Sequence, residues 1–469
     1  MRKVTRMTNY ILLAVSILMV LHYIINRALF RDLWFDEALT FLNFAMLPDA
    51  GTIYRNYTIP NNQILFTILL KYWSMWAPSF LRLDFFLRLL PLAFAGGAIW
   101  MVFLWRRFFS RKAVYLIMAA LALSLPFEIY SVALRGYMPS LFLILLCINI
   151  ALRFNRRADI LGAIGYFATS LAAVAVLPSN IVVLGGIALW FMPVKHPKQW
   201  LRFRWWSLVA APLLAMALFY LPILDSVRGV LALKEGWDDN GAAVLLFYVS
   251  FLLSFFVLIA VSCLRRGHWS RWLKIAGIVL LPLPFFLLRN PAPFPRVFFP
   301  YWGVLLLILA DGLNSFLARA RRNRIWYSVL AGLVVCCALG MQRFRQPLSQ
   351  VFVKGTDMDD YIYPSYALPD FQPHATVQKL IEMKGGQLPP VYVSFQADFY
   401  PMIFYGMLNG IDSGVWRFDG PRSKVDMLGP GALVVLSDRP GELEEFRKRF
   451  GVTPEYLGAC GFQRIYRLP

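Results

Sequence analysis

Apolar runs of about 20 residues recur from one end of the chain to the other, separated by loops that are alternately basic and mixed in composition. A helix of about 20 apolar residues crosses the hydrocarbon core of a bilayer. The pattern predicts about eleven spans, at about 10–30, 86–105, 113–130, 139–153, 160–177, 180–193, 206–224, 242–263, 274–289, 298–317 and 325–341. Arg2, Lys3 and Arg6 precede the first, which places the N-terminus in the cytoplasm. The loops RRFFSRK, RFNRR, KHPKQWLRFR, RRGHWSRWLK and ARARRNR then all fall on that same face. This holds only if 61–76 (NNQILFTILLKYWSMW) does not cross. That stretch is short and rich in aromatics, which suits a helix lying in the interface of the first outer loop, 31–85.

From about residue 342 no run is long enough to cross. VYVSF (391–395) and ALVVLS (432–437) read as buried strands, HATVQKLIEMK and GELEEFRKRFG as amphipathic helices, and FQRIYRL as an alternating edge strand. The expected architecture is an all-α polytopic membrane domain over 1–341, followed by a small extracytoplasmic α/β domain over 342–469. No Gly-rich phosphate loop follows a strand, and no internal repeat is present.

Composition sharpens this reading. The 469 residues are 59% hydrophobic and 16% charged, with a mean hydropathy of +0.57. Ordinary soluble domains are about 25% charged. The formal charge of +21, from 47 basic and 26 acidic residues, would point to nucleic acid in a soluble protein. Here the positive-inside pattern accounts for it, and no nucleic-acid partner is expected. The five cysteines form no CxxC and join no histidine cluster, so neither a disulfide framework nor a zinc site is expected. The N-terminal run reads as a retained first helix, because no small-residue cleavage site follows it.

Polar side chains of a kind that carry chemistry collect on the outer face. RDLWFDEALT (31–40) sets Asp36 beside Glu37, and Asn61, Asn62 and Gln63 lie further along the same loop. Glu128, Arg135 and Tyr137 group at the second outer loop, Asp238 and Asp239 at a later one, and Arg289 and Arg296 flank RNPAPFPR. Ionisable groups at the membrane boundary are functional candidates. Each has a structural alternative. Asp36 and Glu37 could cap the helix EALTFLNFAML with Asp36 facing water, the arginines could snorkel to head groups, and Asp238 and Asp239 could belong to a solvated loop.

The order of these segments carries a resemblance. WFDEA after the first span, then the short interfacial helix, LRLLPLAFAG, the YS…LR.Y stretch of the second outer loop, and PRVFFPYWGVLLLILADGL follow one another over 10–340. This series resembles the GT-C superfamily of polyprenyl-phosphate-sugar-dependent glycosyltransferases, in the bacterial branch related to protein O-mannosyltransferases and the lipid A aminoarabinose transferase. Two positions depart from that pattern. PNNQ (60–63) stands where a His-Pro-Pro stretch is common, and Ala133 stands where many relatives have a glutamate.

The resemblance implies a GT-C fold in the inner membrane and a polyprenyl-phosphate-linked sugar as donor. The acceptor would be a glycan, a lipid or a protein, taken on the outer face. It implies Asp36 as general base and Glu37 as its orienting neighbour or as a sugar contact. Arg135 and Arg296, with Tyr137, would lie on the donor phosphate. Asn61, Asn62, Gln63 and Glu128 are candidate acceptor or sugar contacts. No cofactor is expected, and with Ala133 in place of an acid a divalent metal is the less favoured way to hold the phosphate charge. The competing class is a transporter or flippase of lipid-linked sugars. It lacks support from repeated halves, and the candidate charges gather on one face instead of along a path.

Overall fold

The computed structural model describes residues 29, 31–59, 62–122, 124, 127, 130–194, 203–232, 269–282, 284, 295–320, 371–384, 388–394, 396–418, 428–438, 441–461 and 463–469. By its internal contacts the chain divides into two units. One comprises Met1–Leu29 and Pro48–Val351, the other Phe30–Leu47 and Phe352–Pro469.

The first unit is helical. Among the described residues, four helices are long and apolar enough to cross a membrane: Leu83–Arg107, Tyr137–Arg156, Trp205–Val230 and Val297–Leu317. Shorter apolar helices cover Ile64–Ser74, Ile160–Val176 and Asn180–Phe191. The expected spans at 242–263 and 325–341, and nearly all of 10–30, lie outside the described residues. Two boundaries move. The expected 113–130 span is helical over Arg111–Ala122, leaves the helix at Ser124, and is helical again at Phe127 and Tyr130 among the described residues. The helix expected to stop near 224 continues through a 3-10 turn into Leu224–Ala232, so SVRGVLA is helical and not a loop. Ile64–Ser74 is 11 residues long, about 16 Å at 1.5 Å per residue, well short of a bilayer.

Small residues let the helices of this unit approach closely, as expected where lipid supplies no hydrophobic contrast. A Cβ on Gly97 would stand 2.8 Å from the Phe142 ring, so Leu83–Leu104 and Tyr137–Arg156 pack almost backbone to ring there. Polar side chains add specific ties. Asn180 is fully buried, and its amide donates to Ser140 Oγ at 2.9 Å and to the Ala173 carbonyl at 2.8 Å. It thereby joins three helices with one side chain. Trp73 stacks on Phe86 at 4.8 Å between centroids and donates from Nε1 to the Phe86 carbonyl at 3.0 Å, which fixes Ile64–Ser74 against Leu83–Leu104.

The second unit is built on a five-stranded sheet in the order β2-β1-β3-β5-β4. Its strands are β1 (Val391–Val393), β2 (Trp416–Phe418), β3 (Leu433–Ser437), β4 (Glu455–Cys460) and β5 (Gln463–Arg467). β1 runs parallel to β2 and to β3, with the Gln396–Leu408 helix connecting β1 to β2. β5 pairs antiparallel with both β3 and β4. FQRIYRL is therefore an interior strand and not an edge. Its two partly buried arginines, Arg464 and Arg467, lie on opposite faces of the strand and pair with Asp438 at 2.5 Å and with Glu455 at 2.5 Å. The outer position belongs to β4, whose ladder is irregular between Tyr456 and Gly458. Such an irregularity blunts an edge. Tyr392, Val434, Leu436, Tyr466 and Phe446 make the core on one face, where Phe446 from the Glu442–Phe450 helix meets the Tyr392 ring at 5.6 Å.

Candidate active site

The acidic pair belongs to the second unit. Phe35–Thr40 is a short helix that passes into a π-turn over Phe41–Ala45. Glu37 Oε2 accepts from the Trp34 N–H at 3.0 Å, so this carboxylate caps its own helix, reaching back three residues to a backbone donor. Asp36 sits in the same first turn, and its carbonyl accepts from Thr40 Oγ1 at 2.6 Å. A solvated capping pair would leave Asp36 in water. Instead Asp36 is 5% exposed and Glu37 is fully buried.

The segment carrying the pair is fastened to the C-terminal part of its unit by side chains that sequence reasoning did not single out. The Tyr405 hydroxyl accepts from the Leu33 N–H at 2.7 Å. Asp32 Oδ2 accepts from the His374 N–H at 2.8 Å. Phe35 meets Tyr400 edge to face at 5.3 Å, and Phe41 meets Phe404 in the same way at 5.5 Å. Asn43 donates to the Tyr400 hydroxyl at 3.3 Å. Tyr400, Phe404 and Tyr405 lie on one helix, Gln396–Leu408. Their spacing of four and one in QADFYPMIFYGML is the signal that could have marked an aromatic face awaiting a partner.

The basic group belongs to the first unit. Arg135 and Tyr137 flank Gly136, which precedes the Tyr137–Arg156 helix, and they are 4% and 3% exposed. Gln63 Oε1 accepts from the Gly136 N–H. A Cβ on Gly136 would lie 2.6 Å from Val176 Cγ1, 3.0 Å from Gln63 Oε1 and 3.3 Å from Phe66 Cβ, so only glycine fits. Arg88, fully buried on the Leu83–Leu104 helix, donates from Nη1 to the Val132 carbonyl at 3.0 Å. The loop bearing Arg135 is thus held from two sides, by Gln63 and by Arg88. Arg88 was legible only as part of LRLLPLAFAG, where a lone arginine inside an apolar run marks a buried functional or tying group.

Aromatic contacts carry the arrangement to the next candidate. The Arg135 guanidinium lies 5.9 Å from the Tyr137 ring centroid. Tyr137 packs on Tyr130 at 4.9 Å, and Tyr130 packs on Phe299 at 4.8 Å. Phe299 lies on the 3-10 turn Pro295–Tyr301, whose backbone includes Arg296. The structure therefore brings together Gln63, Arg135, Tyr137 and the turn that bears Arg296. The Arg296 side chain, Asn61, Glu128, Asp238, Asp239 and Arg289 lie outside the described residues. Asn62 is buried and spends both amide hydrogens on backbone, at the Ile53 carbonyl (3.1 Å) and the Asn56 carbonyl (3.0 Å). Among the described residues no group of three His, Cys, Asp or Glu side chains could hold a metal ion.

No family model matches the chain, and no curated protein matches it. Solved structures do, two of them of the same protein. One is ArnT from Cupriavidus metallidurans in the apo state, 12% identical, with a TM-score of 0.54 and 98% of each chain covered. The other is ArnT from Cupriavidus metallidurans bound to undecaprenyl phosphate, 13% identical, with a TM-score of 0.54 and 97% of each chain covered. ArnT is a lipid A aminoarabinose transferase, a glycosyltransferase of the GT-C kind. At this identity the likeness is one of fold, and it runs through the helical unit and the C-terminal unit alike. From end to end, the chain has the fold of ArnT.

Proposed function

We propose that the chain is an inner-membrane glycosyltransferase that moves a sugar from a polyprenyl-phosphate donor to a lipid, glycan or protein acceptor on the outer face. The observation that carries this reading is the ArnT fold over nearly the full length, in a neighbour crystallised with undecaprenyl phosphate. The described polar groups support it. Arg135 is buried in a loop held rigid by Gln63 and Arg88, which suits a preorganised cation aimed at an anionic leaving group.

In the proposed reaction an acceptor hydroxyl or amine attacks C1 of the sugar and gives its proton to the Asp36 carboxylate. The C1–O bond to phosphate breaks, and its electron pair leaves with the polyprenyl phosphate. Glu37, tied to the Trp34 N–H, holds the turn on which Asp36 sits. Arg135 and Arg296 stabilise the phosphate as its charge grows, through forked donors that match its oxygens, and Tyr137 adds a hydrogen bond. Asn61, Asn62, Gln63 and Glu128 are assigned to shaping the sugar and acceptor region. For Asn62 and Gln63 that role runs through the backbone they hold. The domain boundary at 341/342 and the periplasmic placement of the C-terminal domain belong to the same proposal.

The test is transfer of radiolabel from a panel of polyprenyl-phosphate sugars to a membrane extract by the purified protein, with EDTA in parallel. Wild type is expected to make a labelled product. Asp36→Asn is expected to lose at least about 100-fold, the range of a missing general base. Activity that survives EDTA supports arginine stabilisation of the phosphate. An Asp36→Asn variant as active as wild type removes the base assignment. Donor crossing vesicle membranes without being consumed replaces the enzyme with a transporter.

A further inference from the structure

A cationic cavity lies in the first unit, at the far end of the Tyr137–Arg156 helix from Arg135. It has a volume of about 310 Å³ and is lined by Asn155, Trp190, Phe191, Ser270, Arg271, Lys274 and Asp311. Its place along the helices sets its depth. Asn155 is next to the last residue of the 20-residue Tyr137–Arg156 helix, whose other end carries Arg135 and Gly136. At about 1.5 Å per residue the two ends are roughly 27 Å apart, close to the hydrocarbon thickness. Trp190 and Phe191 end the Asn180–Phe191 helix, and Ser270 and Arg271 lie on the Trp269–Leu280 helix. The cavity thus opens where helices end, one membrane thickness from Arg135.

Its chemistry is that of an anion site beside apolar surface. Arg271 and Lys274 supply two positive charges and Asp311 one negative, which leaves a net positive lining. Asp311 pairs with Arg271 at 3.1 Å. Lys274 donates to the Trp190 carbonyl at 2.8 Å. These bonds orient the cations without exhausting them, because a guanidinium has five N–H groups and an ammonium three. Beside the cavity the surface is apolar: Leu273, between Arg271 and Lys274 in sequence, is more than half exposed. Basic pockets between spanning helices with lipid-facing apolar rims recognise phosphate head groups.

We propose that this cavity binds the phosphate head group of an anionic membrane lipid in the leaflet opposite Arg135. Arg271 and Lys274 take the phosphate oxygens, the Ser270 hydroxyl adds a donor, and Trp190 and Phe191 line the entry for the glycerol and the start of the acyl chains. The inference requires only that the Tyr137–Arg156 helix spans the membrane, and it is independent of whether sugar is transferred.

The experiment is native mass spectrometry of the full-length protein released from nanodiscs of phosphatidylglycerol mixed with phosphatidylcholine. Parallel samples carry Lys274→Met, the paired variant Arg271→Gln with Asp311→Asn, or inorganic phosphate added at millimolar concentration. Wild type is expected to retain phosphatidylglycerol in preference to phosphatidylcholine. The variants are expected to lose about tenfold in retention, the equivalent of one charged contact to phosphate. Because the variants could fold poorly, a diazirine-bearing phosphatidylglycerol is also cross-linked to wild type. Label is expected in the peptides that contain Trp190–Phe191 or Ser270–Lys274. Equal retention by wild type and well-folded variants, or label confined to other peptides, overturns the proposal. So does displacement by inorganic phosphate with no lipid retained, which would assign the cavity to a soluble phosphate.

Discussion

At the scale of single residues, the groups that hold a candidate side chain are as informative as the side chain itself. Asp36, Glu37, Arg135 and Tyr137 stand out in the sequence as charged or polar residues beside apolar runs. Gln63 stands out only as a polar residue, and the anchors Gly136 and Tyr405 do not stand out at all, because all three act through backbone hydrogen bonds and close approach, which leave no mark on composition. Gly136 is the sharpest case, since a methyl group there would collide with Val176 and press on Gln63. Gly136→Ala is expected to cost about 1–3 kcal/mol through overpacking, read as a lower melting temperature in detergent. Gln63→Leu keeps the volume but leaves the Gly136 N–H without its acceptor, at a cost of about 1–3 kcal/mol. If transfer activity falls with either variant while donor binding persists, the loop positions Arg135 and does not itself bind sugar.

At the scale of elements, the sequence located most helices of the described regions and the buried strands β1 and β3, because each is an uninterrupted apolar run or a clear 3.6-residue repeat. It did not locate β2, β4 or the Gln396–Leu408 helix. β2 is only three residues long. β4 is an edge with a glycine inside it, and Pro401 interrupts the helix pattern. Interior and edge strands were confused at β5 because its two arginines are taken up by ion pairs with Asp438 and Glu455, which in sequence looks the same as facing water. One element allows a direct test of capping. Asp49 precedes the Ala50–Arg55 helix, and its carboxylate accepts from the Thr52 N–H at 2.8 Å and from the Thr52 hydroxyl at 2.8 Å. The backbone bond, then the hydroxyl bond, hold the carboxyl below its usual value. A carboxyl lowered on folding stabilises above its unfolded value and loses that contribution as pH falls through the lowered folded value. Protection of the Thr52 amide, its exchange rate relative to the intrinsic rate at each pH, is therefore expected to fall on acidification below the ordinary carboxylate range, and in Asp49→Ala to be low at every pH. Equal pH dependence in both proteins would show that the cap does not hold this turn.

At the scale of the whole molecule, the division of the chain changes what a truncation means. A linear reading assigns 31–85 to the membrane domain and the C-terminal residues to a separate module that selects the acceptor. The folded chain instead gathers Phe30–Leu47 with Phe352–Pro469. The apolar side chains of the acid-bearing segment, Leu33, Phe35 and Phe41, are buried, and their aromatic and hydrogen-bonding partners are Tyr400, Phe404 and Tyr405. This pairing spans 372 residues of sequence between Leu33 and Tyr405. A separation of that size has no periodicity to betray it. Fully burying a side chain such as Phe or Leu contributes about 1.5–3 kcal/mol, so a chain ending at residue 351 leaves three such side chains without their cover and the Leu33 N–H without its acceptor. A Phe35–Thr40 helix of 6 residues cannot persist alone, since isolated helices shorter than about 12 residues are marginal in water. Deletion of 352–469 is therefore expected to abolish transfer altogether, with every acceptor, and not merely to change which acceptor is used. Tyr405→Phe is the milder form of the same experiment. It removes one acceptor from the Leu33 N–H and is expected to speed hydrogen exchange across 31–40 by about tenfold, the effect of roughly 1.4 kcal/mol, while the sheet keeps its protection. A truncated chain that still transfers sugar would separate the two functions and return the C-terminal residues to the role of acceptor selection alone.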